Sequence, residues 1–110
     1  MGEHGLSAAL IPLVAGRFKA LAEPARLQIL AELRAGERTV GELVDETGLS
    51  QANLSKHLQV LHQGGFVSRR KHGLFVHYRL ADRDVFRLCD LMCGRLEREL
   101  AVRDAALRRR

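Results

Sequence analysis

Two helices joined by a three-residue turn constrain the fold of this chain more than any other feature. Thr39 and Glu42 have the spacing of a capping box, in which each side chain caps the backbone of the other at the start of a helix. A tight turn follows from Gly48, which can take a positive φ, to Ser50, which can cap the next helix. We expect that second helix to end at Gly64. Two helices joined so closely are typical of a helix-turn-helix.

The second of these helices is predicted to expose a small, polar face. Leu54, Leu58 and Leu61 recur at helical spacing and should face the core. Short hydrogen-bonding side chains with a nearby cation suit a helix that enters the major groove of DNA. The candidate DNA-contacting residues of this helix are Gln51, Ala52, Ser55, Lys56 and Gln59. An ordinary solvated helix face is the alternative interpretation.

A β-hairpin is predicted next, with limbs at residues 66–71 and 75–80 around His72-Gly73-Leu74. Both limbs are rich in β-branched and aromatic residues. The tip should carry four basic or titratable side chains that could hold the phosphate backbone, as the wing beside a recognition helix does. These are Arg69, Arg70, Lys71 and His72. Edge-strand charges that discourage aggregation are the alternative.

Three further helices complete the predicted fold. We expect one from about residue 11 to Leu21, one from Pro24 to just before Gly36, and a long last one from Val85 to at least Arg103. The first and last have more apolar face than the rest of the domain can cover, so we expect them to pair two copies of the chain. The predicted fold is therefore mainly α with a small β part, in the order α-α-α-α-β-β-α, and dimerises through the first and last helices. Recognition helices about 34 Å apart would require a pseudo-palindromic double-stranded DNA site.

The composition fits one small basic domain. The 110 residues are expected to form a single unit with a core at about 15–100, a flexible N-terminus at 1–5 and a basic C-terminal tail at 104–110. Eighteen Lys and Arg against thirteen Asp and Glu give a net charge of +5, which favours a polyanionic partner. No run approaches the ~20 apolar residues of a membrane span, and no signal peptide or enzyme motif is found. We therefore expect a cytoplasmic protein that is not an enzyme.

Several segments resemble the ArsR/SmtB family of small sensor repressors. The first is residues 18–30, FKALAEPARLQIL, and the second is residues 48–58, GLSQANLSKHL. The hairpin and Tyr78-Arg79-Leu80 continue the likeness, which covers about residues 15–100. The resemblance implies a homodimeric winged helix-turn-helix repressor that leaves its operator when a metal ion or an oxidant engages the protein.

The sensing sites that this resemblance implies are mostly incomplete here. The arsenic-type position on the third helix, residues 42–46, has no thiol, and the second-helix thiol of persulfide sensors is replaced by Ala31. The zinc-type positions on the last helix are occupied by two acids and two cations, which should not bind zinc well. They are Asp82, Asp84, Arg95 and Arg98.

Cys89 and Cys93 are the remaining candidate sensor residues. Four residues apart on a helix, they are surface neighbours with Cβ atoms about 5–6 Å apart, so both sulfurs could bind one soft ion such as As(III), Cd(II), Cu(I) or Hg(II). Oxidation of the thiols is a second possibility. Two alternatives stay open: the cysteines serve only to pack the helix, or the winged domain serves only protein contacts.

Overall fold

The structure, a computed structural model, describes residues 6–108 and consists of five helices and a small antiparallel sheet. The elements are α1 (Ile11–Leu21), α2 (Pro24–Arg34), β1 (Arg38–Thr39), α3 (Val40–Thr47), α4 (Gln51–Gln63), β2 (Val67–His72), β3 (Phe75–Leu80) and α5 (Asp84–Arg108). The predicted order of helices and hairpin is confirmed, and β1 is an addition to it. None of the helices within residues 6–108 is long and apolar enough to cross a bilayer.

Local capping sets the boundaries of the two central helices. The Thr39 hydroxyl accepts from the Glu42 backbone N–H at 3.1 Å, and the Glu42 carboxylate accepts from the Thr39 N–H at 2.9 Å. Gly48 ends α3 with φ 73°, and the Ser50 hydroxyl accepts from the Asn53 N–H at 3.2 Å to begin α4. The predicted capping box and turn are therefore confirmed.

The sheet has the strand order β1-β3-β2, so β3 is central. The sequence did not predict β1, because two residues are too few to show a strand period and Thr39 also caps α3. At the other end of the hairpin, His72 pairs with Phe75 across a two-residue turn in which Gly73 has φ 61°. Glycine with positive φ at this first turn position is typical of a type II′ turn. The expected three-residue turn is thus wrong by one residue, and of the four candidate wing residues only His72 flanks the turn, whereas Arg69, Arg70 and Lys71 lie farther back along β2.

The hydrophobic core is formed by α2, α3, α4 and the sheet, with a contribution from the start of α5. Its largest fully buried side chains are Ile29, Leu30, Leu33, Leu43, Leu54, Leu58 and Leu61. In contrast, α1 buries only Ala20, and α5 buries only Val85 and Phe86. Along the rest of these two helices, large apolar side chains are exposed: Ile11, Leu13, Phe18, Leu88, Leu91, Met92, Leu96, Leu100, Val102 and Leu107.

The two ends of the chain differ in how much of them the structure describes. Residues 104–108 of the expected basic tail continue α5 as exposed helix. The expected flexible segment at residues 1–5 lies outside the described residues, as do residues 109–110.

Candidate DNA-binding surface

The polar face of α4 is exposed as its sequence pattern indicates. The side chains of all five candidate residues are exposed: Gln51, Ala52, Ser55, Lys56 and Gln59. The three leucines of the opposite face are fully buried, at 0% exposure. The hydrophobic face therefore fixes α4 in the body of the domain and leaves the candidate residues accessible to a ligand.

Strand alternation divides the wing cations between two faces. Arg69 pairs with Tyr78 and Lys71 pairs with Val76, and residues paired across antiparallel strands point to the same side. Arg69, Val76 and Tyr78 line a groove of about 350 Å³ together with Gln51 and Ser55 of α4. Arg69 and Lys71 thus lie on the face that opens toward the recognition helix.

Arg70 and His72 lie on the opposite face, where Arg70 has an internal partner. Its Nε and Nη2 donate to the two carboxylate oxygens of Glu37 at 2.9 Å each. This guanidinium holds the pKa of Glu37 below its usual range, and the carboxylate raises the pKa of Arg70. His77 Nδ1 lies 3.9 Å from Glu37, and the His72 ring meets the His77 ring edge-on at 6.2 Å between centroids. A phosphate group that approaches Arg70 must compete with Glu37.

Several residues of this surface were not predicted from sequence. Tyr78 is only 7% exposed, yet it lines both the groove beside Gln51 and a second cavity of about 440 Å³ that His62 also borders. The alternation of β3 gave a signal for Tyr78, since it occupies the same face as Val76. No sequence pattern identifies Glu37 as a partner of Arg70, because the two residues are 33 positions apart in the chain.

The two candidate sensor cysteines differ in environment. Cys89 is half-buried and packs against the core, whereas Cys93 is exposed, and neither forms a disulfide. Burial is the main cause that raises the pKa of the Cys89 thiol, with Cys93 and Asp90 adding to it and Arg34 opposing it. Within residues 6–108, no group of three or more His, Cys, Asp or Glu side chains could hold a metal ion. Within the described residues, one protomer therefore offers the two thiols but no third His, Cys, Asp or Glu side chain that could bind the same ion.

Three of the four zinc-type positions, Asp82 just before α5 and Asp84 and Arg95 within it, make local contacts. The Asp82 carboxylate accepts from the Asp84 backbone N–H at 2.8 Å, at the start of the helix. Farther along, Arg95 donates to Glu99 at 3.0 Å. The Asp82 carboxylate thus serves the start of α5 and Arg95 is paired within the helix, and weak zinc binding at these positions stays a prediction.

A helix-turn-helix followed by a β-hairpin that lines a groove together with the exposed helix defines the winged helix-turn-helix class of domain. Residues 23–69 match the family model described as "Bacterial regulatory protein, arsR family". The chain is 42% identical over 89 residues to a probable mercury resistance operon repressor of Streptomyces lividans, covering 81% of this chain and 67% of that protein. This chain belongs to the ArsR family of bacterial regulatory proteins, which are transcriptional regulators and not enzymes, as the sequence predicts.

Two mycobacterial proteins extend the comparison. The transcriptional regulator Rv0324 of Mycobacterium tuberculosis is 43% identical over 91 residues, and the match spans 83% of this chain but only 40% of the length of that protein. The solution structure of the homodimeric winged helix-turn-helix DNA-binding domain of Mb0332 from Mycobacterium bovis superposes with a TM-score of 0.76 at 40% identity. That match covers 89% of this chain and 94% of the domain, so it includes nearly every described element.

Proposed function

We propose that this chain is a cytoplasmic, homodimeric repressor that binds a pseudo-palindromic double-stranded DNA operator. The observation that carries the proposal is the groove between α4 and the wing, where Gln51 and Ser55 face Arg69 and Tyr78. Side chains of α4 can hydrogen-bond base edges in the major groove, while Lys56 and the wing cations neutralise phosphates. The proposed contact residues are Gln51, Ala52, Ser55, Lys56, Gln59, Arg69, Arg70, Lys71 and His72.

Pairing through α1 and α5 is supported by their unburied apolar side chains. Leu91 is 74% exposed and Leu13 is 66% exposed in the single chain. A continuous apolar face of this kind costs free energy in water unless a second surface covers it. The related Mb0332 domain is homodimeric, which makes a second copy of this chain the natural occupant.

Salt dependence and one substitution test the DNA contacts. Operator affinity should fall log-linearly with salt, since each phosphate contact releases counterions. Lys56→Ala should weaken binding at every sequence and reduce the salt slope by about two, one phosphate contact per protomer. The matched control is Arg87→Ala, a cation whose side chain is 84% exposed and which belongs to neither α4 nor the wing. Equal affinity and equal slope for Lys56→Ala and wild type would contradict the proposed docking.

For the effector, we propose a soft metal or metalloid ion such as As(III), Cd(II), Cu(I) or Hg(II) bound by Cys89 and Cys93. The raised pKa of Cys89 keeps that thiol protonated near neutral pH, which slows oxidation because the thiolate is the reactive form. A soft metal displaces the protons as it binds, so a protonated thiol pair can still serve as ligands. The likeness to a probable mercury resistance repressor supports this class of effector. The third ligand would come from the partner protomer or from solvent.

Thiol oxidation is the second candidate, because Cys93 is exposed. Reduced protein on operator DNA should be titrated in turn with each of these ions, Zn(II), peroxide and persulfide, with release followed by fluorescence anisotropy. We expect release by a soft ion, and Cys89→Ser combined with Cys93→Ser should abolish release without changing DNA affinity. Release of the double variant by the same ion would show that the thiols are not the sensor and serve packing.

A further inference from the structure

We infer that Arg26 is a positioning residue that fixes the recognition helix α4 relative to α1. Its guanidinium joins three helices: Nε donates to the Ala20 carbonyl at 2.6 Å, Nη2 to the Lys19 carbonyl at 3.3 Å, and Nη1 lies 3.3 Å from His57 Nδ1. Because a guanidinium can only donate, His57 Nδ1 accepts in this contact. We call these three hydrogen bonds the Arg26 bridge. The inference rests on the proposed function, because it treats α1 as a pairing helix and α4 as the DNA-reading helix.

The attachment of α1 to the body of the domain depends on few groups. Ala20 is its one buried residue, and Leu21 packs against the core while partly exposed. Lys19 and Ala20 lie in its last turn, where the Lys19 carbonyl also accepts from the Ala22 N–H at 3.2 Å and a cation is favourable. Arg26 supplies this cation from α2, so one side chain adds two hydrogen bonds to the packing of Ala20 and Leu21 at the end of α1.

The same side chain reaches the DNA-reading helix next to its contact residues. His57 follows Lys56 directly on α4, so a movement of His57 also moves the proposed phosphate contact. The planar fork of an arginine sets the directions of all its donors at once. A shift of α1 on pairing or on effector binding therefore changes the geometry available to α4 through a contiguous set of hydrogen bonds.

Arg26→Lys is the first test because it keeps the charge and removes the fork. A lysine ammonium cannot reach both carbonyls and the imidazole with fixed geometry. We expect the dimer to persist in analytical ultracentrifugation while operator affinity falls roughly tenfold, within the usual range of coupling between sites. The matched control is Arg87→Lys. An unchanged operator affinity for Arg26→Lys would overturn the inference.

A double-mutant cycle isolates the contact between α2 and α4. Arg26→Lys and His57→Ala should be non-additive in operator affinity, because both remove the same hydrogen bond. His57→Asn should restore part of the affinity, since its amide oxygen can accept near the position of Nδ1. The control pairs His57→Ala with Arg87→Lys, an arginine of α5 that lies near Asp84 and outside the DNA-binding surface, and those two changes should be additive. Additive effects of Arg26→Lys and His57→Ala would contradict the bridge.

A distance measurement without DNA separates this inference from the proposed function. Spin labels at Ala15 and Gln59, both exposed, report the geometry of α1 and α4 in a Cys89→Ser, Cys93→Ser background diluted with unlabelled chain. Arg26→Lys should broaden this distance distribution, whereas a role in stability alone would lower the melting temperature and leave the distribution unchanged. Wild-type protein that fails to bind DNA would refute the proposed function, and the label distances would still decide whether the bridge positions α4.

Discussion

At the scale of single residues, Glu37 controls how much positive charge the wing can present. Its carboxylate binds Arg70 through both oxygens and lies near His77. The sequence correctly placed the basic residues on a hairpin, but it could not show that one of them is neutralised by an acid 33 residues away. Arg69 and Lys71, on the α4 side, are consequently the wing cations best placed for a phosphate contact, and Arg70 becomes available only if Glu37 releases it.

Glu37→Gln should therefore strengthen operator binding. Removal of the carboxylate frees Arg70 and eliminates a negative charge near the DNA backbone, so we expect an increase of about three- to tenfold at low salt that shrinks as salt rises. Fluorescence anisotropy with labelled operator measures the affinity. Asp45→Asn, the removal of an exposed acid of α3 that forms no ion pair with any residue between 6 and 108, is the control for charge alone. An equal gain in both variants would mean that Arg70 is not freed.

The same pair predicts how stability depends on pH. The folded state lowers the pKa of Glu37 through the Arg70 hydrogen bonds, so the folded protein binds protons less readily at this site than the unfolded chain. The contribution is present above the ordinary glutamate pKa of about 4.3 and is lost as pH falls through the lower folded value. Thermal unfolding between pH 2.5 and 6 should show a shallower acid decline in Glu37→Gln than in wild type. Parallel curves would exclude this linkage.

At the scale of elements, prediction succeeded where the determinants are local. The capping box at Thr39, the Gly48 turn and the apolar period of α4 are each contained in a few consecutive residues. The strand β1 and the Arg26–His57 contact instead depend on partners more than 30 residues away, which no local pattern specifies. The contact between α2 and α5 also depends on residues that are distant in sequence. Arg34 donates to both carboxylate oxygens of Asp90 at 3.1 Å and lies 4.5 Å from the Phe86 ring centroid.

Asp90→Asn should loosen α5 without disturbing α4. The side chains of Arg34 and Asp90 are about half exposed, so loss of their ion pair should have a small effect on global stability. Hydrogen exchange of the backbone amides around Asp90 should accelerate several-fold, while the amides of α4 keep their protection. Glu99→Gln, which removes an ion pair internal to α5, is the matched control. If exchange in the two variants is identical, the Arg34–Asp90 pair does not secure the helix.

At the scale of the whole molecule, the protein divides into a closed core and two helices with exposed apolar faces. The sequence indicated this division, because the stripe from Leu88 to Leu100 exceeds what a small winged core can cover. It could not give the angle at which two copies meet, since that angle depends on contacts between different chains.

Leu96→Glu should convert the dimer to a monomer and abolish high-affinity operator binding. The side chain is 47% exposed in the single chain, so a glutamate is tolerated there but would be buried against the partner as an unpaired charge. Sedimentation velocity and operator titration measure the two effects. The control is Glu97→Gln, a change on the same helix. Arg95→Glu is not used because it would also break the Arg95–Glu99 ion pair. A dimeric Leu96→Glu protein would place the pairing surface elsewhere.

The exposed outward sides of α1 and α5 have an evolutionary consequence. Substitutions along the outward sides of these helices leave the packing of Ile29, Leu43 and Leu58 untouched, so they cost the fold little. New ligand chemistry can therefore arise there by a few replacements at positions that do not pair the protomers, while the helix-turn-helix and the wing keep their packing. A lineage with this architecture can diversify in what it detects faster than in how it folds.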